Sequence, residues 1–140
     1  MLFKLPAAFF TGVRVESLNE EMAVVKVKHR WINQNPFKSM FWAVQGMASE
    51  FSSGILVMQA IDKSGKKVSM LVTNMNATFT KKATGKIRFE CKDGLAIQQA
   101  IQKSTETGEG QTVLVTSEGI NEEGISVSKF QYEWSLKVKN

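Results

Sequence analysis

A single acid interrupts the most apolar stretch of this 140-residue chain: between Ser39 and Ile61 the only formally charged residue is Glu50. A carboxylate among apolar side chains loses hydration, which costs free energy and raises its pKa toward neutrality. Such a group can take a proton from water as a general base, or attack a carbonyl carbon itself. The same residue could instead serve at a subunit interface, paired with a lysine or with backbone N–H groups. Upstream, Asn35 offers an amide that could donate to a carbonyl oxygen or cap a helix. Gln45, Asn74 and Asn76 are polar candidates for a pocket wall or for strand pairing between subunits. Phe37, Phe41, Trp42 and Met47 supply either an apolar slot or core packing, and Ala43 is small enough to let a ligand approach. Lys81, Lys82, Lys86 and Arg88 are point charges suited to phosphate groups. His29 is the only histidine, and with no companion His or Cys it makes no metal constellation. No metal and no resident cofactor are expected.

These residues need elements to position them. Phe37, Phe41, Val44, Met47, Phe51, Ile55 and Met58 recur at three- and four-residue steps, which predicts a helix from Ser39 to Ile61, about 34 Å long. So few of its side chains suit water that it reads as a buried helix wrapped by the rest of the fold. A second stripe is small: Ala43, Gly46, Ser49 and Ser53. It is a surface along which another backbone or a ligand can come close. Asn35 with Pro36 at the first helical position fits a helix start, and Ser39 is a rival cap.

Around that helix the period is twofold. Val13 to Leu18 is a short strand. In the next, Ala23, Val25, Val27, His29 and Trp31 share the apolar face. Val68 to Phe79 alternates so that Met70, Val72, Asn74, Asn76 and Thr78 share one face. Ile87, Phe89 and Cys91 alternate in a further strand, where Cys91 reads as a small buried hydrophobe. Leu95 to Lys103 is helix-like, and TETGEG is a loop. Thr112 to Glu118 and Ile125 to Lys139 form a hairpin, with Ser128, Phe130, Tyr132, Trp134, Leu136 and Val138 on one face of the last strand. The order of elements predicts an α+β architecture, one antiparallel sheet wrapped around one long central helix, as a single domain over 1–140.

Composition narrows the class. Hydrophobic residues are 43% and charged residues 22%, as in an ordinary soluble globular chain. No apolar run suits a membrane crossing, and the opening MLFKLPAAFFTG reads as a short amphipathic arm rather than a signal peptide. One cysteine excludes an internal disulfide framework and is compatible with the cytoplasm. The net charge of +5 allows an anionic partner, but the lysines are scattered, so a nucleic-acid or membrane partner is not expected.

Asn35, Phe41 and Glu50 also carry a family spacing. The chain from about Thr11 to Lys139 resembles hotdog-fold acyl-CoA thioesterases of the phenylacetate-pathway and thioesterase-superfamily-member type. Their motif is an Asn, a His-Gly-Gly six residues on, and an acid nine residues after the His. Asn35 and Glu50 fall on the Asn and the acid, while Phe41-Trp42-Ala43 stands where His-Gly-Gly would be. The run NPFKSMFWAVQGMASE also resembles the DUF4442 branch of the fold. The resemblance implies a catalytic Glu50 assisted by Asn35, and substrate contacts from Phe41, Trp42, Ala43, Gln45, Asn74 and Asn76. It implies an acyl-CoA or related thioester substrate, with coenzyme A present only as part of it, and a homodimer or dimer of dimers. In such a dimer Glu50 would face the partner's Val72, Asn74 and Asn76. Two alternatives stay open: a non-catalytic acyl- or CoA-binding module, and a small basic nucleic-acid-binding domain.

Overall fold

In the computed structural model, which describes residues 3–139, the helix at the centre is α2 (Trp42–Ser64). It begins one turn later than the periodicity suggests, because Asn35 caps a tight loop instead of the helix. Asn35 Oδ1 accepts from the N–H of Phe37 at 2.9 Å and of Ser39 at 3.2 Å, and its own N–H donates to Ser39 O at 2.7 Å. The loop turns through Lys38 at φ 61°, a left-handed conformation strained for a lysine. Phe41, in extended conformation, is the residue before the first helical turn. At the other end Gly65 closes the helix at φ 67°, where glycine carries no Cβ penalty, and its N–H donates to Asp62 O.

Before α2 come α1 (Pro6–Phe10), β1 (Arg14–Leu18), β2 (Ala23–Lys28) and a 3-10 turn at Trp31–Asn33. After it come β3 (Val68–Phe79), β4 (Lys86–Cys91), α3 (Gly94–Thr107), β5 (Gln111–Ile120) and β6 (Ser126–Val138). The six strands form one antiparallel sheet in the order β1-β2-β4-β5-β6-β3, wrapped around α2 as expected. β1 and β3 are its edges. The opening arm does form a helix, α1, which packs beside α2 with Ala8 buried; Met1 and Leu2 of that arm lie outside the described residues. α3 continues through Thr107, so the first half of the expected TETGEG loop is helical.

Three expectations about faces change. First, β2 ends at Lys28, so His29 and Trp31 leave the apolar strand face; Trp31 is 83% exposed. Asn33, fully buried, ties this corner down. Its Nδ2 donates to Thr11 O at 3.0 Å and Lys28 O at 2.9 Å, and its Oδ1 accepts from Arg30 N–H at 2.8 Å.

Second, the face of α2 that meets the sheet is the small one. Val44, Gln45, Ala48, Ser49, Ser52, Ser53, Leu56 and Val57 are buried, while Phe41 and Met58 are exposed and Met47, Phe51 and Ile55 half-buried. The reason is volume. The sheet brings Ile87, Phe89, Phe130, Tyr132 and Trp134 inward, and close packing of large against small keeps the layers together without voids. Hydroxyls then stitch the layers. Ser49 Oγ lies 2.6 Å from Tyr132 OH, Ser52 Oγ 2.6 Å from Ser117 Oγ, Trp134 Nε1–H donates to Ser53 Oγ at 3.0 Å, and Ser128 Oγ–H donates to Gln45 Oε1 at 2.7 Å.

Third, β3 has its expected ends but not a single phase. A bulge at Thr73 inserts one residue between the pairs Val72↔Trp134 and Asn74↔Glu133. Beyond it Met75 pairs with buried Tyr132 and Ala77 with buried Phe130, so these join the inner face. Asn74 and Asn76, opposite Glu133 and Gln131, stand on the outer face and are exposed. Thr73 Oγ1–H donates to Glu133 Oε1 at 2.8 Å and holds the bulge from outside.

Candidate functional site

Two clefts open along α2, and between them they hold most of the chemistry-bearing residues. The first, of ≈ 530 Å³, lies at the N-terminal end of the helix and is bordered by Asn35, Phe41, Trp42, Gln45, Phe79 and the Lys81–Lys82 pair. The loop that carries the lysines is strapped to the helix entrance by Met40 N–H donating to Ala83 O at 2.8 Å. Phe41 and Trp42 meet edge-on, ring centroids 6.1 Å apart. Phe41 offers no side-chain cap to the helix. In the first turn the N–H groups of Val44 and Gln45 reach Phe41 O at 3.0 and 3.4 Å. Among the described residues those of Trp42 and Ala43 have no backbone partner, as is usual for the start of a helix.

The second cleft, of ≈ 340 Å³, runs between α1 and the large-residue stripe of α2. Met47, Glu50, Met58, Met70 and Trp134 line it, with Leu5 from the arm. Gly54 lies against the Trp134 ring at its floor, where a Cβ would sit in ordinary contact with the ring at 3.6 Å. The Glu50 side chain is exposed at the rim, yet the apolar groups around it strip part of its hydration and raise its pKa above the ordinary carboxylate value. No ion pair or side-chain hydrogen bond ties down its carboxylate among the described residues.

The expected site residues are therefore divided. Asn35, Phe41, Trp42 and Gln45 share the first cleft and Glu50 lies in the second. Ala43 lines neither. Asn74 and Asn76 line neither as well: the bulge turns them to the outer face, so Val72, Asn74 and Asn76 do not share the one strand face expected to meet Glu50 of a partner. Asn35 Nδ2 is already 3.0 Å from Ser39 Oγ, which makes this amide an organiser of its loop. Among the basic residues, Lys86 and Arg88 are bound to Glu16 at 2.9 and 2.7 Å, leaving Lys81 and Lys82 beside the first cleft. The Lys86 hydrogen bond is the main cause that holds Glu16 below the usual carboxylate range.

Cys91 is fully buried, and burial pushes its thiol up to about 11, so it stays protonated and unreactive. No group of three or more His, Cys, Asp or Glu among the described residues is placed to hold a metal. No helix among them is long and apolar enough to cross a membrane. Ser52 and Ser117, which meet between the helix and the sheet, are the residues that sequence reasoning passed over. For Ser52 the signal was there: serines at 49, 52 and 53 repeat at helical steps in a segment otherwise poor in polar groups.

Residues 1–136 match the family described as domain of unknown function DUF4442. No curated protein matches the sequence. Among solved structures, a Pseudomonas aeruginosa protein of unknown function, titled a probable thioesterase, is 22% identical. It superposes with a TM-score of 0.86 over 99% of this chain and 91% of its own. A Chlorobaculum tepidum protein of unknown function is 18% identical, with a TM-score of 0.84 over 99% of this chain and 89% of that one. A thioesterase from Haemophilus influenzae is 11% identical, with a TM-score of 0.71 over 94% and 82%.

Proposed function

As a member of the DUF4442 family with the hotdog fold of the thioesterase superfamily, this chain is one that we propose hydrolyses acyl-CoA or related thioesters as a homodimer. Glu50 is its general base or nucleophile, and coenzyme A is part of the substrate rather than a resident cofactor. The observation that carries this reading is the position of the two clefts at opposite ends of β3. Met70, near the start of the strand, borders the Glu50 cleft, and Phe79, at its end, borders the helix N-terminal cleft. β3 is a sheet edge of 12 residues with Leu71, Met75 and Phe79 exposed. A long apolar edge left open is an aggregation hazard. Antiparallel pairing with a second copy, centred near Asn74 and Met75, would remove the edge and lay the Met70 end of one strand beside the Phe79 end of the other. Glu50 would then face the first cleft of the partner. Within one chain Trp42 and Glu50 are about 12 Å apart along the helix axis, too far to act on one carbonyl group.

In that composite site the N–H of Trp42 donates to the thioester carbonyl oxygen. Glu50 takes a proton from water, and the water oxygen bonds to the carbonyl carbon while the C=O electron pair moves onto oxygen. Collapse breaks the C–S bond, and the thiolate takes the proton from Glu50, giving a carboxylic acid and a free thiol. Lys81 and Lys82 at the mouth meet the phosphates as point charges. One observation favours a second reading, a binding module without turnover: Phe41 stands at the family's His position and packs edge-on against Trp42 in the cleft.

Hydrolysis of a panel of acyl-CoA esters separates the two. Turnover that falls about 10²–10⁴-fold in Glu50→Ala supports the hydrolase, and tight binding without turnover supports the module. Sharing of the site is tested with Trp42→Pro, which deletes one N–H at a helical position that tolerates proline. Mixed with Glu50→Ala chains, it forms heterodimers with one intact composite pocket. Verified heterodimers that stay inactive while the wild type turns over would refute the shared site.

A further inference from the structure

We infer that Gln45 is the second hydrogen-bond donor to the substrate carbonyl oxygen, supplying from one turn deeper in the helix what Phe41 cannot. The inference rests on the thioester reading above. Gln45 is 4% exposed, and its Oε1 is fixed by the hydroxyl of Ser128, itself fully buried, at 2.7 Å. That bond turns the oxygen toward β6 and leaves the amide nitrogen on the other side. Among the described residues this nitrogen makes no hydrogen bond and is not sealed off as the unpartnered His29 Nε2 is, so it stays open to the first cleft, which Gln45 lines.

The contrast with the rest of the helix–sheet seam sharpens the point. Ser49 donates to Gly46 O and Tyr132 reaches Ser49; Ser52 donates to Ser49 O and lies against Ser117; Ser53 donates to Glu50 O and accepts from Trp134. Each of those links closes on itself. Gln45 alone leaves a donor over, and it does so beside the cleft where the unpaired N–H of Trp42 begins the helix. Gln45 also lies four residues after Phe41, on the same helix face. Two preorganised donors aimed at one oxygen stabilise the charge that develops when a carbonyl is attacked. A neutral amide neither gains nor loses a proton in the cycle, so its part is confined to holding that oxygen; Ser128 acts as a positioning residue through it.

The test needs no turnover. In a Glu50→Gln background, the infrared stretch of a ¹³C-labelled acyl-CoA carbonyl is recorded with and without Gln45→Leu, with Gln45→Glu as a second variant of similar length. The bound carbonyl is expected at lower frequency with Gln45 than in the Gln45→Leu variant, whose side chain has no donor, or in Gln45→Glu, whose carboxylate cannot donate when ionised. In the otherwise wild-type enzyme, Gln45→Leu should lower kcat about 10²-fold with KM within about threefold, and Ser128→Ala should show a smaller fall of the same kind. Unchanged carbonyl frequency in Gln45→Leu overturns the assignment whether or not the wild type hydrolyses thioesters. A fall in thermal stability that accounts for the whole loss of kcat also overturns it. A wild type that binds the ester with a shifted carbonyl but never turns it over removes the hydrolase reading and leaves the donor in place.

Discussion

Ser52 and Ser117 meet 2.6 Å apart with both side chains fully buried, and the two are not equivalent. Ser52 has a second partner, donating to Ser49 O at 2.7 Å, whereas Ser117 has only Ser52. Replacing Ser52 by Ala therefore removes a hydrogen bond worth about 1 kcal/mol and leaves the Ser117 hydroxyl buried without a partner, a further cost of about 1–3 kcal/mol. Alanine's better helix propensity returns about 0.5 kcal/mol. The net expectation is a loss of about 2 kcal/mol, or roughly 4–8 °C in Tm for a chain of this size. Ser117→Ala leaves Ser52 satisfied and should cost about 1 kcal/mol. The double variant removes both hydroxyls together, so it should cost clearly less than the sum, with a coupling near 1 kcal/mol. Urea unfolding, read from the midpoint at constant m, gives all three numbers. Additivity within about 0.4 kcal/mol, or a larger loss for Ser117→Ala than for Ser52→Ala, would refute the idea that these hydroxyls act as a matched pair.

Desolvation raises the Glu50 pKa in the folded chain, so folding favours its protonated form. That contribution is fully present below the unfolded pKa and is lost as pH rises through the folded value. Glu50→Gln should accordingly raise Tm slightly at pH 7 and leave it unchanged near pH 3, by calorimetry at the two pH values. For the same reason kcat should rise with pH across a midpoint above 4.5, the ordinary value for glutamate, and a flat profile from pH 4 to 8 would remove Glu50 as the base. Met75→Asp with Phe79→Asp places charges on the inner side of the β3 edge; the proposed pairing of two β3 edges predicts a wild-type dimer and a monomeric variant in sedimentation at micromolar concentration. Gly94→Ala drives a Cβ into the backbone at Glu20 O and Glu21, which forces α3 off the β1–β2 turn; nearby Cys91, inert to alkylation at pH 8 in the native chain, should become labelled in that variant.

How much of this is legible in the sequence depends on whether neighbours matter. β6 reads correctly, face and all, because its alternation from Ser128 to Val138 is unbroken and apolar on one side. The limits of β3, Val68 and Phe79, read correctly too, but its phase does not, since Thr73 is neither glycine nor proline and nothing local marks a bulge. The buried side of α2 is inverted in a sequence reading that ranks side chains by hydrophobicity alone. Only the bulk of Phe130, Tyr132 and Trp134 opposite explains why Ser49, Ser52 and Ser53 go inside. Glu50 stands out by type. Its separation from Asn35 into another cleft does not, because the Asn35 loop and the path of β3 decide it.

The bulge at Thr73 makes the parity of half a strand depend on one residue. If Thr73 were instead taken into the ladder opposite Glu133, the pairing beyond it would slip by one and exchange the inward and outward sets from 74 to 79: the two asparagines would turn to the inner face and Met75, Ala77 and Phe79 would leave it. The same residues, with no substitution at any position, would thus present an amide-bearing lining in place of a greasy one. Residue labels carried from one relative to another across this point are therefore meaningful only when both chains share the extra residue.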